Sequence, residues 1–409
     1  MAGAMTIRRG IGLLHRWIGL ALAGFLCVSG ITGAVIAWNE ELDLLLNPHL
    51  LQASGSGPAL PATILAQQLE TRDPRLRVTY FPLQPAPGRS QSFFVAPRLD
   101  PASGRPFALT YDQVFVDPFT GAELGRRARN AVWPVTRETV VAFIYRLHQH
   151  LHLSGLWGIE RLGLWVTGTI ALCWSLHCVT GIWLTLPARK WRWRYWKPAW
   201  LIKRSGDGHR IVFEGHRAFG LWAWLLLFTL AVSGFSLNLY REIFHPLLTA
   251  VSQPTPTPYE QRRPRPKSMP IEPGVSYGAI HAAAMAEGER RGWTIPPGAL
   301  LYAADYGIYQ VRYFHPGHER GAPGLGAARL YFDGADGRLL GERLPGTGTA
   351  ADIVIQAQFP VHSGRILGLP GRILVSLMGL VTAALAVTGV LIWARKRRRG
   401  VDNPRPAAI

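Results

Sequence analysis

The stretch HRWIGLALAGFLCVSGITGAVIAWN, residues 15–39, decides the fold. From Trp17 to Asn39 it holds no Asp, Glu, Lys or Arg. At ~1.5 Å per residue such a run crosses a hydrocarbon core of ~30 Å. Leu162–Ala188, Ala218–Tyr240 and Ile373–Ala394 are uncharged in the same way. Four transmembrane helices are expected. The first also reads as an uncleaved anchor, because the small-residue cleavage site of a signal peptide is replaced by the acidic continuation VIAWNEELD.

The net charge of +19 invites a nucleic-acid reading, and its distribution argues against one. The excess sits at Arg8, Arg9 and Arg16, in the stretch from 187 to 217, and after Ala394. All three flank helix ends on one side, which is the positive-inside pattern. Both termini and the 187–217 loop are therefore expected in the cytoplasm, with no nucleic acid as partner. Trp191, Trp193, Tyr195, Trp196 and Trp200 interleave with the loop's bases, as at a lipid headgroup surface of the bilayer. Cys27, Cys173 and Cys178 lie inside apolar runs and read as small buried hydrophobes, not as disulfide partners.

The segments between helices are lopsided. Residues 41–147 and 241–358 are long, face outward, and hold strand patterns bounded by Pro and Gly. RLRVTYFPL, QSFFVAP, ALLYAADYGIYQVRYF and ARLYFDGADGRLLGERL read as strands and hairpins. One small α+β domain is expected in each segment, with helices at PATILAQQLE and SYGAIHAAAMAEG. The halves echo each other. VFVDPFTGAELG (114–125) matches LYFDGADGRLLG (330–341), HRWIGL matches HRAFGL, and VTGIW (179–183) matches VTGVLIW (387–393). The expected architecture is an α-helical membrane protein: a four-helix bundle from two parallel repeats, plus two small α+β domains. Its parts are a cytoplasmic N-terminus with the first helix (1–40), an outer domain (41–147), the second helix (148–188) and a basic loop (189–212). The third helix (213–241), a second outer domain (242–358), the fourth helix (359–395) and a cytoplasmic tail (396–409) follow.

Parallel repeats put equivalent residues at equal depth, facing across a pseudo-two-fold axis. His15 and His216 open helices one and three; His148 (or His152) and His362 lead into helices two and four. His177 lies within helix two, and His245 just after helix three. A single interfacial histidine most often snorkels to water. A pair of ionisable groups near membrane depth argues for a shared partner. Two neutral imidazoles approaching from opposite sides of a bundle suit the axial positions of a haem iron. One inner and one outer haem would stand on the order of 20 Å apart across the core. Gly19, Gly24, Gly30 and Gly33 of helix one and Gly368, Gly371 and Gly379 of helix four would let a flat macrocycle approach, or serve helix packing. Arg16, Arg217, Arg146 and Arg365 are the candidates for haem propionates. The competing metal is zinc or copper on His148-x-His150-x-His152, which lacks accompanying Glu or Cys ligands. No segment reads as a cytoplasmic nicotinamide or flavin domain, so the electron donor would be quinol, free reduced flavin or another protein.

Read together, LLHRWIGLALAGFLCVSGITGAVIAWNEELDLLLNP, YRLHQHL, CVTGIWLTLP, GHRAFGLWAWLLLFTLAVSGFSLNL and FPVHSGRILGLPGRILVSLMGLVTAALAVTGVLIW resemble PepSY-associated transmembrane proteins. FVDPFTGAEL and YFDGADGRLL resemble the PepSY hairpin. That family includes inner-membrane siderophore reductases linked to iron uptake. The resemblance implies four helices, two PepSY-like periplasmic domains, and b-type haems held at His15, His148, His216 and His362. His177 stands where the family often carries an acidic residue, which makes it an alternate, as is His152. The implied activity is reduction of a ferric siderophore at the periplasmic face of the bacterial inner membrane. Tyr145, Arg146, Gln358 and Arg365 are the candidates near the chelate. The alternative is a non-enzymatic PepSY membrane protein that binds or regulates a periplasmic partner.

Overall fold

The computed structural model describes residues 2–187, 192–203, 208–266, 268–319 and 323–402, with side chains described for 6–398 of these. Trp191, part of the basic loop, and the end of the tail lie outside them. In chain order the main elements are α1 (Ala2–Ile36), α2 (Ala62–Arg72), β1 (Leu76–Pro82), β2 (Gln91–Pro97), β3 (Gln113–Val116) and β4 (Glu123–Arg127). Then come α3 (Val140–His150), α4 (Leu162–Thr185), α5 (Gly208–Trp222), α6 (Trp224–Asn238) and α7 (Tyr277–Arg290). The chain ends with β5 (Pro297–Ala303), β6 (Ile308–Tyr313), β7 (Ala328–Asp333), β8 (Leu339–Arg343), α8 (Ala350–His362) and α9 (Leu369–Asp402). They form two compact units, one of residues 1–38, 144–247 and 361–409, the other of 39–143 and 248–360.

The first unit is helical. Three helical stretches, Thr6–Ile36, Leu162–Thr185 and Leu369–Arg398, are long and apolar enough to cross a membrane. The third expected span is broken: α5 and α6 meet at 68° across Ala223. Neither proline nor glycine stands at the break. Two flanking indoles are drawn to different partners instead. Trp222 donates to the Trp200 carbonyl at 3.2 Å and Trp224 to the Cys178 carbonyl at 2.9 Å. α1 packs against α9 and α4, α4 against α6, and α9 against α5. α1 and α9 cross where Gly30 meets Gly379: a Cβ on either residue would strike the other's carbonyl oxygen. Packing therefore explains this glycine pair. Arg8 closes the end of α4 by donating to the carbonyls of Leu184 and Leu186, at 2.5 and 3.0 Å. Trp193, Trp196 and Trp200 cluster with ring centroids 5.2 to 6.0 Å apart.

The second unit is built on one antiparallel sheet of eight strands, ordered β4-β3-β2-β1-β5-β6-β7-β8. Residues 62–127 supply α2 with β1 to β4, and residues 277–343 supply α7 with β5 to β8. The two sets join edge to edge, where Tyr80, Phe81 and Pro82 pair with Leu301, Leu300 and Ala299. The pairing removes one open edge from each set. A single hydrophobic core runs beneath both, from Leu65, Leu69 and Phe93 to Tyr277, Ile280 and Phe332. The sequence suggests one domain per segment; the sheet unites them in one core. α7 begins at Ser276, whose side chain accepts from the Ala279 amide. The β3–β4 and β7–β8 turns share their chemistry. Asp117 Oδ1 accepts from the Phe119 and Thr120 amides and Asp333 Oδ1 from the Ala335 amide. Gly121 and Gly337 take φ +69 and +78, which favours glycine.

Candidate functional site

Four imidazoles in the helical unit share one set of contacts. His15 of α1 places Nδ1 3.1 Å from Thr180 Oγ1 of α4. His148 of α3 returns the contact, with Nδ1 3.1 Å from Thr32 Oγ1 of α1. His216 of α5 reaches Thr388 Oγ1 of α9 at 2.9 Å, and His362 of α8 reaches Ser233 Oγ of α6 at 2.9 Å. Each hydroxyl already donates its own proton to its helix: Thr32 to Val28 O, Thr180 to His177 O, Ser233 to Thr229 O and Thr388 to Ala384 O, at 2.7 to 2.8 Å. A hydroxyl has one proton, so each must accept from the imidazole. Nδ1 therefore carries the hydrogen in all four rings. His148 Nδ1 also lies 3.1 Å from the Ser29 carbonyl, and the rings of His15, His362 and His216 hydrogen-bond the backbone at His177, Leu230 and Leu385, in each case three residues before the hydroxyl. With the tautomer set this way, the lone pair lies on Nε2, the nitrogen that the seat leaves available.

A glycine follows every seating hydroxyl. A Cβ on Gly33 would lie 3.0 Å from His148 Cε1, on Gly181 3.2 Å from His15 Cε1, on Gly389 3.4 Å from His216 Cε1 and on Gly234 3.5 Å from His362 Cε1. The glycines let the rings lie against the neighbouring backbone. The four seats read GITG (30–33), CVTG (178–181), AVSG (231–234) and AVTG (386–389). Thr32, Thr180, Ser233 and Thr388 are the residues that sequence reading missed. The recurring [Val/Ile]-[Ser/Thr]-Gly in all four apolar runs is the signal that could have found them.

The structure groups the histidines into two sets. His148 and His362 face each other with ring centroids 6.3 Å apart and planes at 46°. His152 is not in this pair. α3 ends at His150, and Leu151 and His152 take φ +53 and +54. That left-handed turn carries His152 to His150, whose ring it meets edge-on at 6.1 Å. In the other set His15 and His177 stack at 3.9 Å with planes 6° apart, and His216 lies within electrostatic range of both. His177 Nδ1 is buried with no hydrogen-bond partner, and a Cβ on Gly19 would lie 2.8 Å from its ring. His245 packs on Tyr240 at 5.4 Å.

The expected propionate arginines differ in their surroundings. Arg217 is committed to the basic loop, donating to the carbonyls of Ala199 and Pro198 at 3.1 and 2.9 Å. Arg16 is half-buried beside His15 on α1. Arg146 lies close enough to His150 to interact electrostatically, and Arg365 sits in the short turn between α8 and α9. Tyr145 is half-buried, three residues before His148 on α3. Gln358 is one turn before His362 on α8, its Nε2 buried with no hydrogen-bond partner. Of the glycines singled out in sequence, Gly371 packs on Gly364, and a Cβ on Gly24 would meet nothing within 4 Å. Among the described residues no group of three or more His, Cys, Asp or Glu has a metal-holding arrangement.

A comparison with curated proteins returns no match. Residues 13–396 match the profile of the family described as PepSY-associated TM region, which takes in the apolar helices, the sheet and all four seated histidines. This membrane protein therefore belongs to the PepSY-associated TM region family.

Proposed function

We propose that the protein is a di-haem b electron-transfer protein of the bacterial inner membrane, reducing a ferric siderophore at the periplasmic face. The observation that carries this reading is the common seat of His15, His148, His216 and His362, each with Nδ1 2.9 to 3.1 Å from a hydroxyl, which assigns all four the same tautomer. Each presents an Nε2 lone pair while Nδ1–H is held by a hydroxyl. Metal-bound histidines are oriented in just this way by a partner on the second nitrogen. The 6.3 Å between the His148 and His362 centroids supports a metal between them. Two metal–imidazole bonds of about 2 Å plus two ring radii of about 1.2 Å give a similar separation.

In this proposal His148 and His362 hold the outer haem, with His15 and His216 holding the inner one. His177 flanks His15 rather than sharing an iron with it, since parallel rings 3.9 Å apart cannot bind opposite faces of one metal. Haem, when bound, supplies a one-electron couple. The chain's own groups hold a proton at each Nδ1, offer each Nε2, and surround both sites with apolar helix that excludes water. Four helices in two parallel repeats, with both termini cytoplasmic, would carry electrons from quinol, reduced flavin or a protein donor to the far side. One electron converts the substrate's Fe(III) to Fe(II), which hard oxygen ligands hold less tightly, and the iron is released.

The test is anaerobic mixing of the dithionite-reduced protein with a panel of ferric siderophores. Reoxidation with formation of Fe(II) is expected for at least one of them. Failure with every chelate would contradict the reductase reading and favour a non-enzymatic role in binding or regulating a periplasmic partner.

A further inference from the structure

On one face of the sheet three arginines stand in a row. Arg312 of β6 is directly opposite Arg329 of β7, and Arg329 is directly opposite Arg343 of β8. Their chain neighbours Val311 and Leu330 belong to the hydrophobic core. Side chains alternate along a strand, so the arginines occupy the other face. With strands about 4.8 Å apart the row spans about 10 Å. Like charges set directly opposite repel. Yet among the described residues no carboxylate forms an ion pair with any of the three. The Nε atoms of Arg312 and Arg329 are buried without a hydrogen-bond partner. Their other contacts are to phenols, Arg312 to Tyr80 and Arg329 to Tyr331. The Tyr80 hydroxyl in turn donates to Glu319 at 2.7 Å.

The first half of the sheet provides an internal control. In the β3–β4 hairpin Gln113 stands opposite Arg127, in the register that places Arg329 opposite Arg343. There the arginine is satisfied. Gln113 Oε1 accepts from it at 3.1 and 2.8 Å, and Asp43 takes it at 2.8 to 3.0 Å. In β7–β8 the accepting amide is replaced by a second guanidinium. A half-buried row of three cations with phenols but no carboxylate as partner is stabilised once a ligand supplies the negative charge. Planar guanidinium forks match carboxylates, and a row of about 10 Å has room for more than one.

We propose that Arg312, Arg329 and Arg343 form a binding site for a polycarboxylate, an oxyanion carrying at least two carboxylate groups. The full-length protein in neutral detergent is heated with increasing citrate, against sodium chloride at matched ionic strength. Citrate raises the unfolding midpoint in a saturable way, as a ligand of the folded state does. Arg329→Gln, which restores the arrangement seen at Gln113, raises the midpoint without citrate and removes the citrate response. Arg343→Gln weakens apparent citrate affinity about tenfold, the loss of one charge-assisted contact. No response in the wild type, or an equal response in Arg329→Gln, would overturn the proposal. The readout needs no haem, so it stands apart from the electron-transfer reading.

Discussion

The His148 ring faces the His362 ring at 6.3 Å, and the Nδ1 of each is held by a hydroxyl of a different helix, Thr32 of α1 and Ser233 of α6. Two rings fixed from behind by separate helices present their free nitrogens without losing rotamer freedom at the moment of binding. That pre-organisation is what a two-ligand metal site needs.

The hydroxyls should therefore matter as much as their positions suggest. Thr32→Val and Ser233→Ala keep the helices apolar but remove the hydroxyl acceptor, leaving each ring only its backbone partner at Ser29 or Leu230. Each is expected to weaken outer-haem retention about 10- to 100-fold, the usual cost of losing such an orienting partner. Haem content after purification, with a shifted reduction potential in whatever remains, is the measurement. Thr32→Ser should rescue, because it restores the acceptor.

The choice between His148 and His152 is open to a direct comparison. His148→Ala is expected to halve the haem content, whereas His152→Ala leaves it unchanged. The left-handed turn at Leu151 and His152 points the latter ring at His150. Haem loss in His152→Ala alone would reverse the assignment.

The α1–α9 crossing depends on Gly30 and Gly379, whose backbones touch. Gly30→Val forces the helices apart and is expected to cost about 1–3 kcal/mol, the usual range for overpacking. Gly24→Val serves as the control, since a Cβ there meets nothing within 4 Å. Thermal unfolding in detergent should separate the two variants by several degrees.

The sheet unit should weaken in acid. Hydrogen bonds from Arg75 hold the Asp73 carboxyl well below the usual carboxylate range. Hydrogen bonds from Arg290 and Arg291 hold Glu287 down to about 2. A carboxylate whose folded pKa is depressed stabilises the fold above its unfolded value of about 4. That contribution is lost as pH falls through the folded value, so the window opens at about 4 and runs down to about 2 for Glu287, and lower still for Asp73. The unfolding midpoint should drop across this window, and Asp73→Asn with Glu287→Gln should flatten the drop.

Much of this was legible in the sequence because each feature is local. Uncharged runs mark the apolar helices, and the echo of HRWIGL in HRAFGL singles out His15 and His216. What was not legible depends on contacts far apart in the chain. A threonine or serine in an apolar run reads as packing until a histidine from another helix is seen against it. The spacing of His152 from Gly158 imitates that of His362 from Gly368, but the left-handed turn at Leu151 and His152 directs the His152 ring to His150. The edge pairing of β1 with β5 joins residues more than two hundred positions apart, and no local pattern announces it. The bend at Ala223 likewise follows from indole partners on other segments.

The central claim is that the seated imidazoles bind haem iron. The direct measurement is the visible spectrum of the purified full-length protein, oxidised and dithionite-reduced, with haem quantified per chain. The account predicts a Soret band with b-type reduced bands and about two haems per chain, falling to about one in His362→Ala. A preparation made with adequate haem supply that shows no Soret band would contradict it.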